Sequence, residues 1–318
     1  MPVMQADVAT GWVGRLRTGV VVAIFLAVMP GAVTASVAGP LAATGFLLGA
    51  PVAAASSLAS GIPATRRAAP LLVGGVALGS ITSASWWWVA VATVLAAGAG
   101  LMSTRTPMGP LLLATLLTIV SPEAVDAAQA LTLAGFAGIG VAYALALVDR
   151  SGLADAAAPS LPSWNPLVVG AVLAATVGLA AALAVLIDHR RAVWIPMTVV
   201  VLAAPSALTL AARGRERLIG TLAGAGAATA VGMIGPPRPV HLVLAFLALV
   251  LLVATQGSAQ RVQAALISVL VLLVGGPPSA VFDEAGRRVV FTVLGAAILL
   301  AGAGLATWLT ERDRSVTA

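Results

Sequence analysis

Long apolar runs separated by short polar or proline-containing breaks occupy almost the whole chain. A bilayer core needs about 20 apolar residues per helix. The pattern therefore predicts an all-α, polytopic transmembrane bundle of about 12 helices, with a range of about 10–12 because two of the runs are short. The predicted spans cover about 18–38, 41–60, 69–84, 86–103, 108–121, 127–148, 166–187, 192–212, 218–234, 240–256, 262–276 and 289–309.

The longest polar stretch divides these spans into two sets of six. It covers residues 149–165 and contains two prolines and two aspartates, which is typical of a linker. We expect a six-helix membrane half at 18–148 and a second one at 166–310. Residues 1–17 and 311–318 are then a cytoplasmic N-terminus and a cytoplasmic tail.

The beginning of the chain has an alternative interpretation. Arg15 and Arg17, a short apolar stretch and small residues near Ser36 are also typical of a secretory signal peptide. A further long apolar run follows at 41–60, which favours a first transmembrane helix instead.

The composition excludes several classes of protein. Hydrophobic residues make up 60% of the chain and charged residues 9%, whereas a soluble domain has about 25% charged residues. Disorder is excluded because it requires low hydrophobicity. The chain has no cysteine, so a disulfide framework, a thiolate metal site and a cysteine nucleophile are also excluded.

The arginines predict how the chain crosses the membrane. All 17 basic residues are arginine, and they lie singly or in short groups between the apolar runs. With both termini in the cytoplasm, twelve arginines lie inside and five outside, as the positive-inside rule requires. We therefore expect a multi-pass protein of a bacterial plasma membrane with cytoplasmic termini, and no binding to nucleic acid.

The residues give no support for an enzyme. The predicted spans contain no ionisable residue in mid-membrane, and the nearest titratable side chains stand at span ends: Asp188, His189, His241, Asp283 and Glu284. The acidic pairs Glu123-x2-Asp126 and Asp283-Glu284 are too sparse and too near proline turns for catalysis, and no metal-ligand spacing or phosphate loop is present. We expect no catalytic residues, no metal and no cofactor.

One short motif recurs every third helix. Arg217, Thr221 and Gly224 fit the pattern R-x3-T-x2-G, and Arg288, Thr292 and Gly295 fit it again. Degraded copies occur at Arg67-x3-Leu71-x2-Gly74 and, with Ala128 in the arginine position, at Thr132-x2-Gly135. Three helices reverse the direction of the chain, so the spacing predicts pseudo-repeats with inverted topology.

The C-terminal half resembles a known family. The segment Val193–Val199, Pro205 and the two complete motifs are similar to the FUSC-like integral membrane domain of the fusaric-acid-resistance and aromatic-acid-exporter group. The resemblance covers residues 166–310 and implies a membrane transporter that exports aromatic or other weak organic acids. The alternative function is a non-catalytic accessory or scaffold subunit of a membrane transport complex.

The two complete motifs are the candidate substrate site. We place Arg217 and Arg288 at helix N-termini, where an arginine and a threonine hydroxyl would bind an organic anion. Arg217/Thr221 and Arg288/Thr292 then form the inner and outer parts of an anion path. The structural alternative is that Glu284 pairs with Arg288 and that Arg217 only anchors its helix.

Two further predictions concern proton coupling and helix packing. Asp188 and His189 are a candidate proton-coupling pair, although two solvated interfacial side chains explain them better. Small residues allow helix backbones to approach closely, and the glycines predicted at such contacts are Gly74, Gly79, Gly135, Gly220, Gly224 and Gly295. The expected partners are the lipid bilayer and a small organic anion. Whether a second copy of the chain or an efflux partner subunit joins them stays open.

Overall fold

The computed structural model describes residues 29–102, 108–124, 126–151, 165–203, 207–255, 259–275 and 281–317. All regular structure in these ranges is helical. Twelve helices, α1–α12, follow one another, and a four-residue helical turn, His189–Ala192, lies between α7 and α8. In chain order they are Met29–Ala38, Pro40–Ser60, Ile62–Thr82, Trp86–Leu101, Met108–Val120, Ala127–Ser151, Pro166–Ile187, Trp194–Leu202, Ala207–Ile234, Arg238–Ala254, Gln260–Gly275 and Val281–Thr317. The predicted all-helical fold is confirmed.

Several helices begin at a proline or at a polar residue that caps the first turn. Pro166 opens α7, where its missing N–H costs nothing, and the Asn165 side chain accepts a hydrogen bond from the Leu167 amide. Ser85 caps α4 in the same way through the Trp88 amide. The first predicted span, 18–38, lies only partly within the described residues, which begin at residue 29. The alternative signal peptide lies mostly outside them.

The eighth predicted span is wrong. Residues 192–212 do not form one continuous helix, because α8 ends at Leu202 and α9 begins at Ala207. Pro205 accounts for this difference, since a proline disfavours helical backbone in the residue before it. The arginines at 213, 215 and 217 therefore lie within α9 rather than in a loop before it.

Apolar surface and helix length both fit a bilayer. Four described helical segments are long and apolar enough to cross a membrane: Ala127–Arg150, Pro166–Ile187, Ala212–Ile234 and Phe282–Leu305. Four further apolar helical segments are shorter: Pro40–Ala54, Trp86–Leu101, Arg238–Leu252 and Gln260–Val274. Large apolar side chains such as Val37 and Leu131 are 81% and 70% exposed, as expected where lipid is the solvent.

The tryptophans at the start of α4 differ from one another. Trp86 and Trp87 are exposed, as a membrane-interface position predicts. Trp88 is fully buried, and its indole N–H donates a hydrogen bond to the Thr118 carbonyl oxygen at 3.1 Å. A run of three tryptophans is typical of a membrane interface, but only the first two are exposed as such a position requires.

The chain divides into two compact units. Of the described residues, those at 211–293 form unit 1, and those at 29–210 and 294–317 form unit 2. These boundaries do not coincide with the predicted linker at 149–165, of which the structure describes only 149–151 and 165. The two six-helix halves stay a prediction.

Close helix crossings in unit 2 are built on small residues. A Cβ added at Gly49 would overlap the Ala137 carbonyl, where α2 crosses α6, and one added at Gly79 would overlap the Thr118 carbonyl, where α3 crosses α5. Gly295 on α12 lies in the same way against the Ile195 carbonyl of α8. Backbones at these points approach as closely as only glycine permits.

Unit 1 contains one crossing of the same kind. On α9, Gly220 faces the Arg261 carbonyl and Gly224 faces the Ala265 carbonyl, both on α11. Two of the predicted packing glycines, Gly74 and Gly135, do not lie at a close helix crossing, because a Cβ on either would meet no atom within 4 Å. On α3 the predicted Gly79 lies at the crossing, but the glycine one turn before it at the crossing is Gly75 and not Gly74.

Two pairs of helices that cross in the N-terminal part of the chain have counterparts that cross six helices later. The pair α3 and α5 cross through Gly75 and Gly79, and the pair α9 and α11 cross through Gly220 and Gly224, again four residues apart. Likewise α2 crosses α6, and α8 crosses α12. In the register of the glycines, the buried Leu72 of α3 corresponds to Arg217 of α9.

Candidate functional site

Unit 1 contains a set of buried polar side chains in otherwise apolar surroundings. Its described members, which we call the buried polar set, are Arg217, Thr221, His241, Ser268, Arg288 and Thr292. Each is at most 3% exposed. The set contains both complete copies of the R-x3-T motif, so the structure places all four predicted substrate-path residues in one unit.

Helical spacing puts the first copy on the packed face of α9. Arg217, Thr221 and Gly224 are four and three residues apart, which places them on one side of a helix. That side faces α11, because Gly224 lies against Ala265 and Ser268. The Arg217 side chain is 3% exposed, and its Nε and Nη1 atoms are buried without a hydrogen-bond partner among the described residues.

Arg288 is held by α11. Its Nε donates a hydrogen bond to the Ser268 hydroxyl at 3.2 Å, and that hydroxyl donates to the Ala264 carbonyl oxygen at 2.8 Å. Ser268 is also the residue against which Gly224 of α9 packs. The serine therefore links the α9 crossing to the second arginine.

The predicted position of both arginines at helix N-termini is wrong. Arg217 lies ten residues inside α9, which begins at Ala207, and Arg288 lies seven residues inside α12, which begins at Val281. The segment before Arg217 is rich in alanine and arginine, which favour helix. Asp283 and Glu284 stabilise the first turn of α12 through the helix dipole. The dipole at a helix N-terminus therefore contributes nothing at either arginine, and the anion-binding argument depends on burial instead.

Two buried positive charges lie in this one unit. Arg217 repels Arg288 electrostatically, and half-buried Glu284 attracts Arg288. The other acidic side chains that the structure describes in unit 1 lie near other arginines, since Glu216 pairs with Arg261 at 3.7 Å and Asp283 with Arg287 at 3.8 Å. Burying like charges without equal countercharge is costly, so the site favours an anion.

The apolar helical segments begin earlier than the predicted spans. Arg217 and Arg288 stand just before the predicted spans 218–234 and 289–309, but lie within the apolar segments Ala212–Ile234 and Phe282–Leu305. His241, assigned to a span end, is 1% exposed. Its position four residues into α10 looks peripheral in the sequence, and only its spacing from Ala245 and Ala248 indicates a buried face.

The Asp188/His189 pair gains no support. The Asp188 carboxylate is exposed and lies 3.4 Å from Nε of Arg191, three residues later. This is an ordinary surface ion pair. The His189 side chain lies outside the described part of the structure.

The degraded motif copies do not share the environment of the complete ones. Arg67 and Leu71 on α3 are exposed, and Thr132 on α6 only donates a hydrogen bond to the Ala128 carbonyl of its own helix. Among the described residues, the R-x3-T-x2-G motif therefore coincides with a buried polar site only in its two complete copies, both in the C-terminal half.

Comparison with known proteins bears on this same region. Residues 177–302 match the model of a family described as fusaric acid resistance protein-like. The match covers every member of the buried polar set and confirms the resemblance predicted for the C-terminal half. A search of curated proteins and a search of solved structures gave no match. The family match and the apolar helices indicate a membrane protein of transporter type.

Proposed function

We propose that the protein exports small organic anions, aromatic or other weak acids, and that Arg217 and Arg288 bind the carboxylate group. The observation that carries this proposal is the burial of two guanidinium groups in one compact unit, 3% and 2% exposed. The threonines one turn further along each helix, Thr221 and Thr292, supply hydroxyl groups to the same site.

The chemistry of the buried groups favours a carboxylate over a cation or a neutral solute. A guanidinium group carries five N–H donors and no acceptor, and its fork matches the two oxygens of a carboxylate. An ionisable residue inside a transmembrane segment marks a substrate or ion pathway far more often than a structural element. An anion would offset the repulsion between the two arginines, with Glu284 contributing only beside Arg288.

The proposed direction is export from the cytoplasm across a bacterial plasma membrane. The family's description as resistance protein-like supports export, since resistance follows when a toxic acid leaves the cell. The orientation, with both termini in the cytoplasm, rests on the uneven distribution of the 17 arginines.

Cysteine labelling tests this orientation directly, because the chain has no cysteine. We expect Arg213→Cys and Gln260→Cys to be protected from a membrane-impermeant maleimide added to intact cells. Pro237→Cys, in the connection between α9 and α10, is expected to react. Arg213 and Pro237 are exposed and Gln260 is half-buried in the structure, so access through the protein does not limit the reaction at the first two.

Permeabilised cells provide the control for this experiment. All three cysteines should then react, which shows that protection in intact cells comes from the membrane. External labelling at position 213 or 260 would contradict the orientation.

A further inference from the structure

We propose that His241 is a ligand-binding residue of this site and hydrogen-bonds a second polar group of the organic anion, beyond the carboxylate. This inference rests on the proposed function, since it requires an anion held by Arg217 and Arg288. It assigns the substrate class more narrowly, to acids that also carry a hydroxyl or a similar hydrogen-bonding group.

His241 lies on the face of α10 that packs against α11. Arg238, at the start of α10, donates hydrogen bonds to the carbonyl oxygens of Leu273 and Val274, near the end of α11. His241, Ala245 and Ala248 follow at spacings of three, four and three residues and are all buried. Ala245 belongs to an apolar cluster with residues of α9, α11 and α12.

Counting the helical rise places His241 of α10 close to the level of Ser268 of α11, the residue that accepts the Arg288 hydrogen bond. Because Arg238 begins α10 and contacts the end of α11, the two helices are antiparallel. At 1.5 Å per residue, His241 stands about 4.5 Å beyond Arg238, and Ser268 stands about 7.5 Å before Leu273. By this count the backbones of His241 and Ser268 lie near the same level along the two helices.

The imidazole nitrogens have no hydrogen-bond partner within the described part of the chain. Both Nδ1 and Nε2 are buried without one. A buried polar group normally has a partner, and leaving one without destabilises the protein. A ligand that enters the site would supply the missing partner.

An imidazole ring also complements the arginines chemically. It has two nitrogens that can donate or accept a hydrogen bond, whereas guanidinium groups only donate. A nitrogen that accepts selects for a ligand group that itself donates a hydrogen bond, such as a hydroxyl.

The N-terminal half provides an internal comparison. Its α4, six helices before α10, carries a fully buried aromatic ring at its third residue, Trp88, where α10 carries His241 at its fourth. The Trp88 N–H is bonded to the Thr118 carbonyl of α5. The Trp88 ring is thus hydrogen-bonded to the neighbouring helix α5, whereas the His241 ring makes no hydrogen bond to a described residue.

The test uses purified protein in lipid nanodiscs and matched pairs of acids with and without one hydroxyl: mandelate with phenylacetate, and salicylate and 3-hydroxybenzoate each with benzoate. Calorimetry is expected to show at least one hydroxy acid binding about tenfold tighter than its partner, the worth of one hydrogen bond. His241→Phe should abolish this preference and keep the affinity for the unhydroxylated acid. His241→Gln, which retains a donor and an acceptor, should keep part of it.

A second measurement leaves His241 intact. The chain has two histidines, so His189→Gln leaves a single imidazole to be observed by 15N-histidine NMR. Its ring signals should shift when the preferred hydroxy acid binds and should not shift in an additional Arg217→Gln/Arg288→Gln background. Binding without a hydroxyl preference, or without movement of the His241 signals, overturns this inference alone. If no acid in the panel binds the wild type, the anion site itself is wrong, and this inference fails with it.

Discussion

Arg217→Gln and Arg288→Gln are each expected to lower the affinity for exported weak acids by about 10- to 100-fold, and the double substitution should abolish export. A hydrogen bond to a charged group is worth about 1.5–3 kcal/mol, which corresponds to that range. Glutamine keeps two N–H donors but is uncharged and shorter, so the substitution removes the charge and the donor fork of the guanidinium group. The measurement is export of a panel of weak organic acids from cells, normalised to the amount of protein in the membrane.

The stability of the same variants separates a binding role from a structural one. Removing a buried charge that no acid fully balances should leave the thermal stability in detergent unchanged or raise it. Loss of export together with retained stability therefore indicates a binding site. If the arginines only anchored their helices, stability would fall as export does.

Neighbouring arginines provide matched controls. Arg215 lies on the exposed side of α9, and Arg287 pairs with Asp283 at the more exposed side of α12. Arg215→Gln and Arg287→Gln should leave export at the wild-type rate. Wild-type export by Arg217→Gln and Arg288→Gln, at normal membrane levels, would refute the anion site.

Apolar runs bounded by proline and polar caps predict the helices well. The seventh span was placed at 166–187, and α7 is Pro166–Ile187. The eighth failed because Trp194–Leu202 and the start of α9 are both apolar, and hydropathy alone does not record the break that Pro205 introduces. Local preferences fix where a helix can begin, but they do not show how far it extends into a polar segment.

The sequence motif identified the residues of the candidate site, but the predicted structural environment of those residues was wrong. The pattern R-x3-T-x2-G identified Arg217 and Arg288 because helical spacing is visible in a sequence. Their burial is not visible, since it depends on how α9 and α12 lie against α11. His241 was passed over for the same reason, as its importance comes from the antiparallel packing of α10 on α11.

The glycine contacts also show that the sequence does not reveal which side of a helix is packed. Gly74 and Gly75 are adjacent on α3, yet only Gly75 faces α5, where a Cβ would lie 2.6 Å from the Ala114 carbonyl oxygen. Composition marks both as packing residues. The rotation of the helix about its axis decides between them, and that rotation is set by the neighbouring helices.

Gly224→Leu is expected to prevent normal folding, with yield and thermal stability in detergent well below those of the wild type. A Cβ at this position would overlap the Ala265 carbonyl and lie 2.8 Å from the Ser268 Cβ, so α9 and α11 must separate. Overpacking typically costs about 1–3 kcal/mol where side chains can adjust, and here a backbone carbonyl is in the way. Separation would also move Ser268, which holds Arg288, so export should fail in any protein that does fold.

Gly226→Leu is the matched control two residues along the same helix. Gly226 is exposed, and a Cβ there would meet no atom within 4 Å. Leucine favours helix over glycine by up to about 1 kcal/mol, so yield and melting temperature should equal or exceed those of the wild type. The comparison isolates the α9–α11 contact, because the two variants add the same side chain to the same helix. Equal yield and melting temperature for Gly224→Leu and Gly226→Leu would mean that α9 and α11 do not cross at Gly224, and the link from the crossing through Ser268 to Arg288 would be lost with it.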